Sequence, residues 1–313
     1  MNYAAVIKLV GRGRDSARAI GRDEARELFG DMLDDRVPCV HLGALLLAYR
    51  LKGESADELA GFLDAVHARL PFVASPEAAP RTVVIPSYNG ARTMANLVPL
   101  LALSLAARGV PVLVHGVTND ESRVTSAAIF TALGMTACTS GDAAARALAS
   151  ERVAFMPLGA LSPGLDRLLD LRWTLGVRNS AHTVVKMLRP VMNALGLVSV
   201  THPEYLATMR EYYAAHPADT LLMRGTQGEA VANARRAQAI EWLHDGRAHT
   251  VIEAGQGSAL ALPELPSIDA ASTAQWTLDV LAGRLPMPAP IARQVEVIER
   301  IATRRDAPRE IAA

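Results

Sequence analysis

Hydrophobic and polar residues follow one pattern up to about residue 72 and a different one beyond it. In the first part, 1–72, apolar residues recur at the spacing of a helix. The predicted helices cover 23–34, 38–51 and a segment that contains Leu59, Phe62, Leu63 and Val66. Gly53 supplies a positive φ at the end of the second helix, and Ser55 with Glu58 forms a capping box for the third. We therefore expect a small helical domain.

Beyond residue 81, short apolar runs alternate with helical segments. The runs predicted to be strands are Thr82–Ile85, Val110–Val114, Val153–Met156, Leu197–Val200, Leu221–Met223 and Thr250–Glu253. Such alternation is typical of a mostly parallel sheet covered by helices, so 81–313 is predicted to be a larger α/β domain. The segment 73–80, rich in alanine and proline, is predicted to be a linker, and 291–305 a helix of mixed charge.

Two predicted strands end in segments that suit a ligand site. The loop Pro86-Ser87-Tyr88-Asn89-Gly90-Ala91 follows the first strand, and His115-Gly116 follows the second. In α/β sheets, ligands bind beyond the carboxyl ends of the strands. These two strand ends are therefore the places where a ligand would be expected, although a hydrogen-bonded scaffold role explains His115 equally well.

Composition narrows the class of protein. Half of the residues are hydrophobic and 20% are charged, which predicts a folded chain with a large core. Cys39 and Cys138 have no metal-binding spacing and are predicted to be reduced, buried thiols of a cytoplasmic protein. The longest uncharged apolar stretch, 93–107, is shorter than the roughly 20 residues of a membrane span. We expect a soluble protein with no membrane partner.

Positive charge is segregated, although 32 basic residues balance 32 acidic ones over the whole chain. The stretch 171–203 contains Arg172, Arg178, Lys186 and Arg189, and the stretch 78–119 contains Arg81, Arg92 and Arg108. Neither stretch has an acidic residue. We expect the fold to bring both to one cleft and to form a basic groove that binds phosphates. A solvated basic face without a ligand is the alternative interpretation.

The first of these stretches is predicted to contain an amphipathic helix over 179–190. It begins at an Asn179-Ser180 N-cap and ends at Pro190. The side opposite its apolar residues carries His182, Lys186 and Arg189. We expect this cationic helix to lie at the junction with the helical domain.

Structural roles remain open for several of these residues. A role within the scaffold explains Arg172 and Arg178 equally well, and His182 is interpreted as a helix-surface residue. Glu229 is interpreted as a lone surface acid, and Trp276 is predicted to lie in the core. The candidates for stacking on bases are Trp173 and Tyr88.

The order of these pieces resembles anthranilate phosphoribosyltransferase from about residue 20 to 285. The matching pieces are Lys52-Gly53-Glu54-Ser55, the loop after the first strand, His115-Gly116 and the Arg172–Arg178 pattern RxxLGxR. The resemblance implies the anthranilate phosphoribosyltransferase and class III phosphorylase-like fold. It also implies that 1–72 is a dimerisation domain.

The chain departs from that family where the family binds pyrophosphate. The family's glycine-rich loop cradles pyrophosphate with its backbone, whereas here Tyr88 and Asn89 replace two glycines and Pro86 has no N–H. The segment Asn96-Leu97-Val98-Pro99 lacks the two hydroxyls of the family's Asn-Ile-Ser-Thr. The segment Val114–Thr118 keeps His115 and Gly116 but lacks the family's lysine, asparagine and arginine.

The family's metal-binding acids are missing as well. The Asp-Glu pair that holds Mg²⁺ in the family falls on Ala230 and Val231, and Glu229 is one residue out of place. We therefore predict no metal, no cofactor and no catalytic residue. What remains of the family's site is Arg172, Arg178, His115 and Asn96.

One branch of the superfamily, the YbiB-type proteins, is similar in more detail. The shared motifs are Leu175–Thr183 (LGVRNSAHT), His202–Tyr205 (HPEY), Arg224–Glu229 (RGTQGE) and Thr273–Trp276 (TAQW). This resemblance implies a homodimer that binds DNA or RNA through a basic surface and has no demonstrated need for phosphoribosyl pyrophosphate.

The predicted function is binding of DNA or RNA backbone, single-stranded and without sequence preference. The residues predicted to bind nucleic acid are Arg92, Arg172, Arg178, His182, Lys186 and Arg189. The residues predicted to form a degenerate substrate loop are Pro86, Ser87, Tyr88, Asn89, Gly90, Asn96, His115 and Gly116. Two alternatives remain: a phosphoribosyl- or glycosyltransferase with an altered substrate, and a protein that serves only in assembly.

Overall fold

The computed structural model describes residues 1–13, 16–77, 79–255 and 264–303. The helices are α1 (Tyr3–Val10), α2 (Arg22–Leu33), α3 (Cys39–Lys52), α4 (Ala56–His67), α5 (Val98–Ala107), α6 (Ser126–Ala132), α7 (Gly141–Glu151), α8 (Leu158–Leu161), α9 (Pro163–Leu175), α10 (Ala181–Val184), α11 (Glu204–Ala215), α12 (Ala270–Leu281) and α13 (Ala289–Thr303). The strands are β1 (Val83–Ser87), β2 (Val112–Gly116), β3 (Val153–Pro157), β4 (Leu195–Val200), β5 (Thr220–Arg224), β6 (Ile240–His244) and β7 (Arg247–Ile252).

The chain forms two compact units. Unit 1 comprises Met1–Pro71 and Leu158–Pro190, and unit 2 comprises Phe72–Pro157 and Val191–Ala313. The segment 158–190, which carries Arg172, Arg178, Lys186 and Arg189, therefore belongs to the helical unit. It was predicted to lie in the α/β domain, with 179–190 at the junction. The segment 73–80, predicted to be a linker, is grouped with unit 2.

In unit 1, α2 packs against α4. Gly61 permits a close approach, because a Cβ there would lie 2.3 Å from the carbonyl oxygen of Arg22. The predicted capping box is confirmed: Ser55 N–H donates to Glu58 Oε2 over 2.8 Å, and Glu58 N–H donates to Ser55 Oγ over 3.2 Å. The buried Glu58 carboxylate also accepts from Lys52 Nζ over 2.6 Å, which pairs its charge.

Unit 2 is built on a seven-stranded sheet in the order β3-β2-β1-β4-β5-β6-β7. The strands β1 to β5 pair in parallel, and β6 and β7 are antiparallel additions at one edge. The predicted fold class, a helical domain with a larger and mostly parallel α/β domain, is confirmed. Strand order reverses between β1 and β4, so the carboxyl ends of these two strands are where such sheets bind ligands.

Some predictions about individual elements need correction. The strand β6 was not predicted. Cys39 is exposed at the start of α3, whereas Cys138 is buried as expected.

Trp276 lies in the core, as predicted. The predicted C-terminal helix is α13, and residues 304 and 305 of that prediction lie outside the described residues. No described helix is both long and apolar enough to cross a membrane.

Candidate functional site

The loop that follows β1 is filled by a carboxylate from its own chain. The side chain of Glu229 is 1% exposed, and its Oε1 accepts the backbone N–H groups of Asn89 and Gly90 over 2.8 and 2.6 Å. Hydrogen bonds from backbone N–H to a carboxylate are charge-assisted and strong. Glu229 is therefore not the surface acid that the sequence suggested.

A second side chain from the same segment binds the continuation of this loop. Gln227 Oε1 accepts the backbone N–H groups of Arg92 and Thr93 over 3.0 and 2.8 Å, and its Nε2 donates to the carbonyl of Met94 over 2.8 Å. Four backbone donors of the loop, at 89, 90, 92 and 93, are thus used by two side chains. We call 87–93 together with Gln227 and Glu229 the filled loop.

Backbone shape at Gly228 makes this arrangement possible. Gly228 has a φ of +91°, and a Cβ there would lie 2.2 Å from Asn89 Nδ2. Its carbonyl oxygen accepts from Asn89 Nδ2 over 2.7 Å and from Ser199 Oγ over 2.8 Å. Since Ser199 lies on β4 and Asn89 just after β1, the Gly228 turn lies at the point where the strand order reverses.

Below the filled loop lies a buried polar cluster. Ser126 Oγ is 2.7 Å from Ser87 Oγ and accepts from Asn96 Nδ2 over 3.1 Å. Tyr88 is buried, and its hydroxyl hydrogen-bonds to Nδ1 of His115. Burial lowers the pKa of His115 to about 3, so its imidazole is neutral at neutral pH. Tyr88 is thus a core residue rather than a stacking surface for bases.

Where the resembling family has its metal-binding acids, unit 2 has apolar core. Ala230 and Val231 are buried in the hydrophobic cluster of the sheet. Gln294 of α13 holds this segment by accepting the N–H of Ala232 over 2.7 Å. Within 1–13, 16–77, 79–255 and 264–303, no three His, Cys, Asp or Glu residues are grouped so that they could hold a metal ion.

The cationic segment of unit 1 differs from the predicted helix. The α-helix runs only from Ala181 to Val184, Val185–Met187 form a 3-10 turn, and Leu188 is extended. Its start is as predicted, because Asn179 Oδ1 accepts the N–H of Ala181 over 2.9 Å. β-Branched residues and the proline at 190 disfavour continuation of the helix. His182 is buried rather than on the surface, while Lys186 and Arg189 are half-buried.

The cations of this segment are nevertheless grouped together. Burial, and then the charges of Arg178, Arg172 and Lys186, lower the pKa of His182 to about 3. Three cations therefore act on one neutral imidazole. Arg189 lies three residues after Lys186. Its backbone N–H donates to His67 Nε2 over 3.1 Å, and burial followed by the charge of Arg189 lowers the pKa of His67. We call Arg172, Arg178, Lys186 and Arg189 the cationic face.

An aromatic side chain stands beside the cationic face. Trp173 at the end of α9 is 54% exposed, and the guanidinium of Arg172 lies 4.2 Å from the centroid of its ring. This is a cation–π contact. Of the two predicted stacking residues, Trp173 is the one that solvent reaches.

The second predicted basic stretch is largely neutralised by acids from distant positions. Arg81 is paired with Asp219, and Arg108 pairs with Glu299 over 2.7 Å. Arg92, which belongs to the filled loop, remains exposed. Counting acids along the sequence missed these pairs because they span 138 and 191 residues.

Comparison with protein families gives two matches. Residues 5–69 match the family described as glycosyl transferase family, helical bundle domain. Residues 89–285 match glycosyl transferase family, a/b domain.

Similar individual proteins point to the same family. The chain is 42% identical to the uncharacterized protein YbiB of Escherichia coli K12 over 299 residues, covering 94% of this chain and 92% of that one. It is 30% identical to anthranilate phosphoribosyltransferase of Methylobacterium nodulans, covering 79% and 73%. Among solved structures, it resembles anthranilate phosphoribosyltransferase from Thermus thermophilus with a TM-score of 0.71 and 22% identity, over 97% and 89% of the two chains. The enzyme from Saccharomyces cerevisiae in complex with PRPP and Mg gives a TM-score of 0.73 at 14% identity, over 95% and 88%.

Proposed function

This chain belongs to the glycosyl transferase family that joins a helical bundle domain to an α/β domain, and from that premise we propose that it is a nucleic-acid-binding member of the family. The proposed ligand is the phosphate backbone of single-stranded DNA or RNA, bound without sequence preference at the cationic face. The observation that carries the proposal is a short segment, 172–186, whose partly exposed Arg172, Arg178 and Lys186 all lower the pKa of buried His182, with the exposed Trp173 against Arg172.

The chemistry of the cationic face supports this ligand. Arginine and lysine bind phosphate oxygens by charge-assisted hydrogen bonds, and an exposed indole stacks on unpaired bases of any sequence. His182 is buried and its imidazole is neutral, so we do not assign it a phosphate contact. Phosphate contacts position a protein on nucleic acid but do not read its sequence.

Likeness to curated anthranilate phosphoribosyltransferases favours a second candidate, a phosphoribosyl- or glycosyltransferase with an altered substrate, in which Arg172 would hold a carboxylate. The filled loop counts against it. Its donors at Asn89 and Gly90 are bonded to Glu229, whose negative charge would repel a pyrophosphate. With Ala230 and Val231 in the core, the charge of a departing pyrophosphate would have no preorganised partner from that segment.

One comparison separates the two candidates. Binding of a fluorescein-labelled single-stranded oligonucleotide is measured by anisotropy, and binding of phosphoribosyl pyrophosphate with Mg²⁺ by calorimetry. We expect the oligonucleotide to bind and phosphoribosyl pyrophosphate not to bind. Turnover of anthranilate above background, or complementation of a strain that lacks the transferase, would contradict the proposal.

The double variant Lys186→Gln/Arg189→Gln is expected to bind the oligonucleotide about thirtyfold more weakly at low salt, since it loses two charge-assisted contacts that contribute about 1 kcal/mol each. The slope of log affinity against log salt should flatten by about 1.4, at roughly 0.7 per lost phosphate contact. The control Arg146→Gln/Arg247→Gln removes two exposed charges from unit 2. Equal losses in both double variants would show a diffuse charge effect and refute the cationic face as the site.

We propose further that the protein is a homodimer that associates through α3. This helix presents Val40, Leu47 and Leu51 to solvent, 84%, 47% and 69% exposed, at positions i, i+7 and i+11. They lie on one side of the helix, with Gly43 between them and nothing within 4 Å of its Cβ position. An apolar stripe of this kind suits a self-complementary contact with a second copy.

The variant Leu47→Glu/Leu51→Glu is expected to elute as a monomer, because two charges would be buried in the proposed interface. Light scattering should give twice the 33.3 kDa chain mass for the unmodified protein and the single mass for the variant. The control Leu278→Glu/Leu281→Glu changes two exposed leucines of α12 and should remain dimeric. A monomeric unmodified protein at micromolar concentration would rule out the dimer.

A further inference from the structure

A cavity of about 360 Å³ lies in unit 2, where α11 packs on β5 and β6. Leu222 and Glu241 are directly paired residues of β5 and β6, so their side chains lie on the same face of the sheet. Arg224, two residues after Leu222, shares that face at the carboxyl end of β5. The cavity thus opens where a parallel strand ends.

Three arginines line this cavity, and one carboxylate faces them. Arg210 of α11 donates from Nε and Nη2 to the two oxygens of Glu241, each over 2.7 Å. In such a bidentate pair the two charges neutralise each other, and the guanidinium is held in one orientation. Arg224 and Arg236, both exposed, form no ion pair with any residue in the described part of the chain. The lining therefore has an excess of positive charge.

The polar side chains between these arginines present donors. Asn233 Oδ1 accepts the N–H of Arg235 over 2.9 Å, and Gln238 Oε1 accepts the N–H of Asn233 over 3.1 Å. Since both oxygens are engaged within the segment, the amide NH₂ groups are what remains for a ligand. Guanidinium and amide donors together suit an oxyanion.

We propose that this cavity is a binding site for a small phosphate monoester, such as a nucleoside or sugar phosphate. Arg224 and Arg236 bind the phosphate, and the apolar floor around Leu206 and Leu222 contacts the rest of the molecule. The volume lies at the lower end of the range for small-molecule sites, which fits one compact ligand. The residues that line the site belong to unit 2, whereas the cationic face belongs to unit 1.

The test uses the full chain, adenosine monophosphate as the probe and adenosine as the uncharged comparison. Calorimetry should show binding of the monophosphate in the micromolar to millimolar range, and at least tenfold weaker binding of adenosine. In Arg224→Gln/Arg236→Gln, affinity for the monophosphate should fall at least tenfold. Absence of binding by the unmodified protein overturns the proposal.

Two further variants keep the result interpretable. The control Arg235→Gln/Arg247→Gln removes two exposed charges outside the cavity, and an equal loss of affinity there overturns the proposal. Glu241→Gln releases Arg210 from its ion pair, so binding should tighten severalfold. That gain of affinity could not come from damage to the fold.

Oligonucleotide binding by Arg224→Gln/Arg236→Gln distinguishes the source of the phosphate. If oligonucleotide affinity is unchanged while monophosphate affinity falls, the site takes a small molecule, as proposed. If oligonucleotide affinity falls and the unmodified protein does not bind the monophosphate, the arginines serve nucleic acid and the proposal is wrong. Neither result alters the test of the cationic face through Lys186 and Arg189.

Discussion

Glu229→Ala is expected to lower the free energy of unfolding by about 2–6 kcal/mol. The change leaves the N–H groups of Asn89 and Gly90 buried without their acceptor, and each such group costs about 1–3 kcal/mol. Trp242 and Trp276 are both buried in unit 2, so urea unfolding followed by fluorescence reports on the unit that is changed.

Three comparisons make this experiment specific to the filled loop. Glu299→Ala removes a partly exposed carboxylate paired with Arg108 and should cost less than about 1 kcal/mol. Glu229→Gln keeps an oxygen acceptor, so it should lose less stability than Glu229→Ala. Acetate or formate should raise the melting temperature of Glu229→Ala more than chloride at equal ionic strength, because a small carboxylate can occupy the vacated position. Equal losses for Glu229→Ala and Glu299→Ala would contradict the assigned role of Glu229.

Acidification is expected to destabilise the protein at pH values well above those at which carboxylates titrate. His115 and His182 have pKa values of about 3 in the folded chain, whereas an unfolded histidine titrates near 6.5. Below about pH 6.5 these two histidines bind protons in the unfolded state but stay neutral in the folded state. The stability that they contribute is therefore present above that pH and is lost on acidification. Protonation of the two histidines in the unfolded state should lower the free energy of unfolding by about 4 kcal/mol between pH 7 and pH 5.

Single substitutions test this pH dependence. His182→Gln and His115→Gln should each reduce the slope of unfolding free energy against pH by up to about 1.4 kcal/mol per pH unit, whatever they do to stability at pH 7. Asp34 and Asp219 have lowered pKa values, so their contributions are lost only at still lower pH. His67, whose pKa is also lowered, contributes in the same direction and is unchanged in both variants. A slope unchanged by both substitutions would show that these histidines are not held neutral.

Local patterns in the sequence were sufficient to predict most of the helices and strands of the fold. Apolar spacing located α2, α3 and α4, and the capping box at Ser55 and Glu58 formed as expected because both of its hydrogen bonds join residues three apart. The strand β6 was missed although a signal was present. Asp245 and Gly246 both have positive φ and form the two-residue turn between β6 and β7, a strong hairpin signal.

The candidate site depended on contacts that no local pattern reveals. Glu229 reaches Asn89 and Gly90 across 140 and 139 residues, so the sequence showed only that an acid had moved by one position. The helix predicted over 179–190 was too long for a related reason. A helical wheel assumes one buried side, whereas here the segment is buried on several sides, including the position of His182. The motif Arg224–Glu229 was recognised, but its role as the occupant of the loop required the structure.

The filled loop can also be described as an intramolecular competitor. Glu229 is tethered to the donors that it binds, so its effective concentration does not fall when the protein is diluted. If the contact stabilises the closed arrangement by about 3 kcal/mol, an external anion would bind there about a hundredfold more weakly than to the same loop left open. A phosphorylated metabolite at a concentration that half-saturates an open loop would then occupy about 1% of this one. Phosphorylated metabolites therefore occupy the loop after β1 only rarely, and Glu229 is the residue that sets how rarely.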